Sequence, residues 1–519
     1  MDLQNKNFWK IISLFAVIIL PVFIYLTIKA TQINGWDSWT SGSAQTILTA
    51  RYWARDGFLK HYLLFAPSGY NSNIKFLDKP EFQFLSDGID TGGLIGKRLY
   101  YTHYPSGYLI PYGLLAKAGA ENRFWFRMLA ISFSLASVFF LLGFVYLITN
   151  KNHFLALIAV FYYSTSITFL RYADSLANQP VDDLFKWAIL FFSIYALGKE
   201  DIKGRLEKLI WLLYFLLAAS SYDSTFFIFF WLCALGYIAA KKINIKKYLF
   251  WASAPILAFI LQMAQNTWYL GWKNAWLDLW GTFLIRFNEV PSTLSYLPLV
   301  SQKISSALSV SGFLLDIRTR WALPVLVAVF FLIFLLLYKN NKIISKTMLY
   351  YLAALGLGGL IYGFIFPGAG AGSFSYQGRQ LAPMLLIIIS LATFAFFKAV
   401  KNREIKTAHI FLSFFLLIIW SAHFQAAYSY VKKWPNDEFP ISKVHYWQDL
   451  NRQTDKDTII LSLKGVNDLG PNKFVTQVYA DRLILFFDNT EQLFEYSKKI
   501  TAAVPEQKNF LIILPKNEE

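Results

Sequence analysis

The 519-residue chain is 56% hydrophobic, 18% aromatic and 16% charged, against roughly 45–50% apolar and about 25% charged in soluble domains. Such an apolar excess does not fit inside a soluble fold of this size, and it excludes a disordered chain. The lone Cys233 excludes an internal disulfide and a cysteine metal cage, and in so apolar a chain the basic balance behind the formal charge of +17 reads as loops on one side of a membrane rather than as a nucleic-acid surface.

Apolar runs bounded by charges predict membrane helices at 11–30, 124–149, 154–170, 183–197, 208–221, 225–240, 248–266, 322–338, 347–366, 380–397 and 408–428, several of them shorter than the roughly 20 residues of a full span. The runs are continuous rather than alternating, which argues against an outer-membrane barrel. The first has no small-x-small cleavage signal and closes at Lys29, so it reads as a retained span. With the N-terminus placed inside, the segments 1–10, 150–153, 198–208, 240–247, 338–346 and 398–407 become cytoplasmic. They carry 18 basic and five acidic residues, as the positive-inside rule requires.

Three large external pieces follow, at 31–123, 267–321 and from 429 onward. In the first, residues 44–55 read as an amphipathic helix with Ile47, Leu48, Tyr52 and Trp53 toward lipid. Arg51 and Arg55, four apart, share a face. The stretch YYTHYPSGYLIPYGLLAKAG at 100–119 reads as a helix lying in the outer interface. In the second piece, Trp268, Trp272, Trp276 and Trp280 fall along one helical face, as interfacial anchors or, less simply, as a sugar-stacking surface. The tail alternates strand runs at 458–463, 482–487 and 509–514 with a helix near 490–500, which predicts a small α/β domain at 429–519 after a transmembrane domain at 1–428.

Trp36-Asp37 just after the first span, Ala50-Arg51, Gly57, His103-Tyr104-Pro105 opening an apolar helix, Gly119 and Arg127 occur in one order on one side. FLRYADSLANQPVDDLFKWAILFF at 169–192 and SYQGRQLAPMLL at 375–386 follow. This series resembles the GT-C glycosyltransferases, and within them the branch of protein O-mannosyltransferases and aminoarabinose lipid A transferases. The resemblance covers about residues 1–200 well and the rest by topology. The family's Asp-Glu is Asp37-Ser38 here, and its Pro-Pro is Tyr104-Pro105, a departure that bears on the acceptor.

The resemblance implies a GT-C-like bundle of about 11 helices in a cell (inner or plasma) membrane, with the C-terminal domain external. It implies an inverting enzyme that moves a sugar from a polyprenyl-phosphate donor to a hydroxyl or amine of a lipid, glycan or protein acceptor. Polyprenyl phosphate leaves readily, so the chemistry needs one carboxylate to take the acceptor proton and cations to hold the phosphate. Asp37 suits the base, the alternative being a carboxylate that caps the loop at Ser38–Ser41. Asp174 is the second acid, orienting the acceptor or pairing locally with Arg171. Asp182 and Lys186 read as an i,i+4 pair. Arg51, Arg55, His103, Arg171, Tyr376 and Arg379 are the candidates for donor phosphate and sugar, with Lys79 and Arg98 looser ones. No cofactor is required on this reading. A divalent metal on Asp37, Asp174 and Asp182 is the minority alternative. The rival functions are a transporter or flippase of lipid-linked saccharides, for which no inverted repeat is detected, and a non-catalytic scaffold.

Overall fold

The computed structural model describes residues 6–37, 40–66, 82, 99–102, 104–199, 201–222, 224–241, 243–286, 346–365, 380, 382–402, 407–433, 439–455, 458–466, 469, 473–503 and 509–514. The expected span 322–338, and Lys79, Arg98, His103, Tyr376 and Arg379, lie outside them.

A first helix, α1 (Lys6–Thr31), is followed by α2 (Thr40–Asp56) and α3 (Ile110–Lys117). Then come α4 (Arg123–Ile148), α5 (His153–Ser164), α6 (Ile167–Tyr172), α7 (Gln179–Leu197), α8 (Lys203–Ser220), α9 (Thr225–Ala240), α10 (Ile245–Leu270) and α11 (Trp272–Arg286). After the undescribed stretch follow α12 (Lys346–Ile365), α13 (Ala382–Lys401), α14 (Thr407–Lys433) and α15 (Ile441–Gln453). Local chemistry fixes several starts. The side chains of Asn122, Asn152, Ser166 and Asn244 accept backbone N–H bonds from Phe124, Leu155, Phe169 and Lys247, at 3.0, 3.2, 3.1 and 3.2 Å. Each cap satisfies an N–H that the first helical turn leaves without a partner. The Ser166 cap divides the apolar run at 154–170 into α5 and α6. Likewise Ser221–Ser224 divides α8 from α9.

Among the described residues, Ile11–Thr31, Arg123–Ile148 and Ile245–Leu270 are each long and apolar enough to cross a membrane, and shorter apolar helices accompany them. Leu14, Val17, Leu20, Ile24 and Ile28 form an exposed stripe along α1, and Leu249, Ile256, Leu257 and Ile260 another on α10. Exposed apolar surface on this scale needs lipid beside it. The chain is an integral membrane protein. Inside the bundle, the Phe144 ring packs on Trp187 and edge-on to Trp231, with centroids 6.1 and 5.9 Å apart.

Lys247, at the start of α10, pairs with Glu207 near the start of α8 at 2.8 Å, and the Phe154 and Phe397 rings, at the start of α5 and the end of α13, meet edge-on at 6.1 Å. The end of α1, the start of α4 and the turn after α6 meet through Lys29, Arg127 and Asp174, and the starts of α7 and α9 meet Gln380, just before α13, through Asp182 and Ser224.

Beyond α15, β1 (Ile459–Leu463), α16 (Lys473–Ala480), β2 (Ile484–Phe487), α17 (Thr490–Ala503) and β3 (Phe510–Ile513) form a parallel three-stranded sheet of order β2-β1-β3. Ile460 lies opposite Ile484 on one side and Leu511 on the other. Each crossover carries a helix, the connection that parallel strands require. Isoleucine, leucine and phenylalanine make up nearly all of β1 and β2 because both faces of their sheet are covered.

Two sequence expectations change here. Ile47, Leu48, Tyr52 and Trp53 are completely or almost completely buried in a core that α2 shares with α3 and the tail. Protein, rather than lipid, covers that face: the Trp53 ring packs on Phe58 at 5.1 Å, Tyr52 lies 6.1 Å from the His61 ring, and α3 and α16 both pack against α2. The tryptophan row is also broken. Gly271, with φ +79°, ends α10 after Trp268 and starts α11 at Trp272, so the four rings do not share one helix. All four remain exposed, as suits interfacial anchors.

Candidate active site

Asp37 follows α1 by six residues and is 1% exposed. The Ser43 hydroxyl, on the first turn of α2, donates to Asp37 Oδ2 at 2.5 Å, and Ser43 Oγ accepts the Leu176 backbone N–H at 3.0 Å. Thr40 Oγ1 donates to the Asp37 carbonyl at 2.9 Å. Burial pushes the Asp37 carboxyl above its usual range. The nearby Asp174 charge adds to this, while Arg127, the Ser43 bond and Lys29 oppose it.

Asp174 sits in the turn after α6 and is fully buried. Lys29 Nζ donates to Asp174 Oδ1 at 2.7 Å, and Arg127 Nη2 donates to Oδ2. Burial alone raises such a carboxyl, but Lys29 and Arg127 together outweigh it and hold Asp174 below the ordinary carboxylate range. Arg127 also donates to the carbonyls of Lys29 at 2.9 Å and Gly35 at 3.3 Å, which fixes the chain leading to Asp37. Two carboxylates in one buried neighbourhood are thus driven in opposite directions.

The segment 173–183 gathers the other expected elements. Asn178 Nδ2 donates to the Tyr104 hydroxyl at 2.7 Å and to Ser221 Oγ at 3.0 Å. Ser224 Oγ donates to Asp182 Oδ2 at 2.6 Å, and Gln380 Nε2 donates to Ser224 Oγ at 2.9 Å. Tyr104 and Gln380 neighbour His103 and Arg379 in sequence. The Asp182–Lys186 pair does not form. Lys186 bonds Asp183 at 2.6 Å instead, which leaves Asp182 to the polar network with Ser224. A cavity of about 310 Å3 opens beside this segment, between Ser134, Ala173, Gln179 and Asp183 and the apolar Leu385, Leu386 and Ile389.

Arg51 and Arg55 are engaged elsewhere. Arg51 Nη1 meets Asp481 Oδ1 at 3.1 Å. Arg55 Nη2 meets Asp481 Oδ2 at 2.6 Å and Glu121 Oε2 at 3.0 Å. Their shared face exists, and the fold turns it to the tail. Arg171 does not pair locally with Asp174. Its guanidinium lies over the Tyr172 ring, 5.5 Å from the centroid, and Lys29 and Arg127 take the carboxylate. Lys29 is the residue that sequence reasoning missed. A lysine in the last turn of an apolar span reads as an end marker, yet a buried ionisable group there is a functional signal in its own right.

Among the described residues no three His, Cys, Asp or Glu side chains come together as a metal cage. Asp174 already carries two cationic partners, so this donor set does not fit a divalent cation held by both carboxylates.

Replacing Ser43 by alanine removes a bond that favours the ionised Asp37 carboxylate, so it raises the Asp37 pKa further. The acid limb of any rate that depends on Asp37 then moves to higher pH, with the fold intact. A pH–rate profile of Ser43→Ala beside the parent checks this, and a coincident acid limb would refute it.

The described residues form a bundle of apolar helices with buried carboxylates and cations between them, joined to a small α/β domain. No protein-family model and no curated protein sequence matches the chain. Its structure is similar to the oligosaccharyltransferase AglB of Archaeoglobus fulgidus, solved with an inhibitory peptide and a dolichol-phosphate. The identity is 12% over 96% of this chain and 69% of that one, with TM-score 0.50. The apo form of the same archaeal enzyme gives 12% identity, 97% and 69% coverage and TM-score 0.49. ArnT from Cupriavidus metallidurans, bound to undecaprenyl phosphate, gives 9% identity, 98% and 90% coverage and TM-score 0.47. The chain shares the overall fold of the archaeal oligosaccharyltransferase solved with the peptide and dolichol-phosphate.

Proposed function

We propose that the protein is an inverting glycosyltransferase that moves a sugar from a polyprenyl-phosphate donor to an acceptor hydroxyl or amine at the external membrane face. The observation that carries this reading is the opposed pair of acids. One carboxyl is raised and engaged by a serine, and the other is held ionised by two cations. Pairs whose surroundings push their pKa values apart mark acid–base assignments. Asp37 takes the proton from the acceptor as its oxygen or nitrogen bonds to the anomeric carbon. The bond from that carbon to the phosphate oxygen breaks, and polyprenyl phosphate leaves with the electron pair. Attack opposite the leaving group inverts the carbon. Asp174 stays ionised and keeps Lys29 and Arg127 in place beneath Asp37.

The donor phosphate is assigned to Arg379 and Tyr376, on the loop whose next described residue, Gln380, bonds Ser224, with His103 and Arg171 as further contacts. An arginine suits a phosphate because its fork makes two parallel hydrogen bonds. The cavity bordered by Leu385, Leu386 and Ile389 suits the first units of the lipid. Arg51 and Arg55 hold the tail.

The test is transfer by the purified protein in detergent from synthetic polyprenyl-phosphate sugars, read by mass spectrometry of the acceptor. Product is expected with one donor. No product with any donor, together with movement of lipid-linked saccharide across vesicles, would replace this reading by a flippase. Because the protonated Asp37 carboxyl cannot accept a proton, kcat/KM is expected to fall on the acid side at a pH above the ordinary carboxylate range. A rate flat down to that ordinary range would remove Asp37 as the base.

A further inference from the structure

The chain that delivers Asp37 is held from both sides. From the bundle, Arg123 Nη2 donates to the Gln32 carbonyl, and its guanidinium lies over the Trp36 ring, 5.0 Å from the centroid. From the tail, Asn34 and Phe439 exchange two hydrogen bonds, each 3.2 Å: Asn34 Nδ2 to the Phe439 carbonyl and the Phe439 N–H to the Asn34 carbonyl. At the centre is one hydroxyl, that of Tyr479 on α16. It accepts Trp36 Nε1–H at 3.0 Å and Arg123 Nη1–H at 3.3 Å, and it donates to the Ile33 carbonyl. The Tyr479 ring meets the Trp36 indole edge-on at 6.1 Å. Tyr479 is 8% exposed and Trp36 2%. A single phenol thereby uses its donor and its acceptor capacity to tie both ends of 33–36 to one point, one residue before the acid.

We infer that Tyr479 of the C-terminal domain is a positioning residue for the Asp37 base, acting through the Trp36 indole and the Ile33 carbonyl. The inference rests on the reading of Asp37 as base. It gives the tail a task in the transfer step. The docked domain fixes the direction of the Asp37 carboxylate, so undocking it disables the base without disturbing the bundle. A general base must be held to within a fraction of an ångström, and a displacement of about 1 Å costs up to about 100-fold in rate.

The experiment compares Tyr479→Phe, Trp36→Phe and the double variant with the parent and with Asp37→Asn, all as full chains in detergent. Phenylalanine keeps the Tyr479 ring in place and leaves an aromatic ring at position 36. Each single variant is expected to lose about 10-fold in kcat with the donor KM unchanged. The double variant falls no lower than the worse single one, because both break the same tether. Hydrogen exchange is expected to quicken in the peptide containing residues 33–37 and to stay constant in β1. Full kcat in Tyr479→Phe, or losses that multiply in the double variant, would overturn the proposal while leaving the transferase reading intact. Quickened exchange at 33–37 with full kcat would overturn it too, since the tether would then hold nothing the reaction uses. An active Asp37→Asn would remove both the base and its positioning residue.

Discussion

Asp37→Asn is expected to abolish sugar transfer, with kcat falling by about 100- to 10,000-fold, the range that a general base supplies. The amide keeps the size of the carboxylate and still accepts the 2.5 Å hydrogen bond from Ser43, so the segment holds its course between Trp36 and α2. Donor affinity is expected to persist, because the phosphate contacts proposed above lie on other segments. The measurement is single-turnover transfer with bound donor, alongside a thermal midpoint. A variant that transfers at the parent rate would end the assignment. One that loses donor binding and unfolds early would show that Asp37 serves the fold rather than the proton.

The second large effect lies one layer below. Arg127→Met removes one of the two cations on Asp174, leaving a fully buried carboxylate with Lys29 alone. Breaking a buried ion pair from one side costs about 3–5 kcal/mol, because the remaining charge stays out of water. Arg127 also bonds the carbonyls of Lys29 and Gly35, so its loss frees the approach to Asp37 as well. Lys29→Met is expected to cost a similar amount. The triple replacement Lys29→Met, Arg127→Met, Asp174→Leu is expected to recover most of that stability, since the ion triad leaves together and Asp37, without the two cations that favour its charge, keeps its proton, and still to transfer poorly. Thermal midpoints of the single and triple variants in one detergent decide it. An unchanged midpoint for Arg127→Met would take the triad out of the account of the fold.

Much of the bundle was legible in the chain because its signals are local. A span announces itself by a run of apolar residues, and many of its ends by flanking lysines. The asparagine and serine caps at 122, 152, 166 and 244 act within three residues of themselves. The strand runs of the tail overlap β1, β2 and β3 for the same reason. Asp37, Asp174 and the 169–192 stretch drew notice as acids and arginines beside apolar spans. The helices α15 and α16 escaped it, being short and mixed in composition.

What the sequence by itself determined, then, is the order of helices and strands, the basic ends of the bundle, and which segments carry acids and cations. Tertiary structure alone decided the pairings, since they join residues far apart along the chain. Lys29 reaches Asp174 across 145 positions, and Tyr479 reaches Trp36 across 443. Arg51 and Arg55 meet Asp481 because the tail folds back onto α2, and the tail together with α3 and the 58–61 turn covers the apolar face that composition had assigned to lipid. Sequence spacing states which side chains share a face. Only the packed chain states what that face meets, and there burial and the nearest charge separate the raised Asp37 from the ionised Asp174.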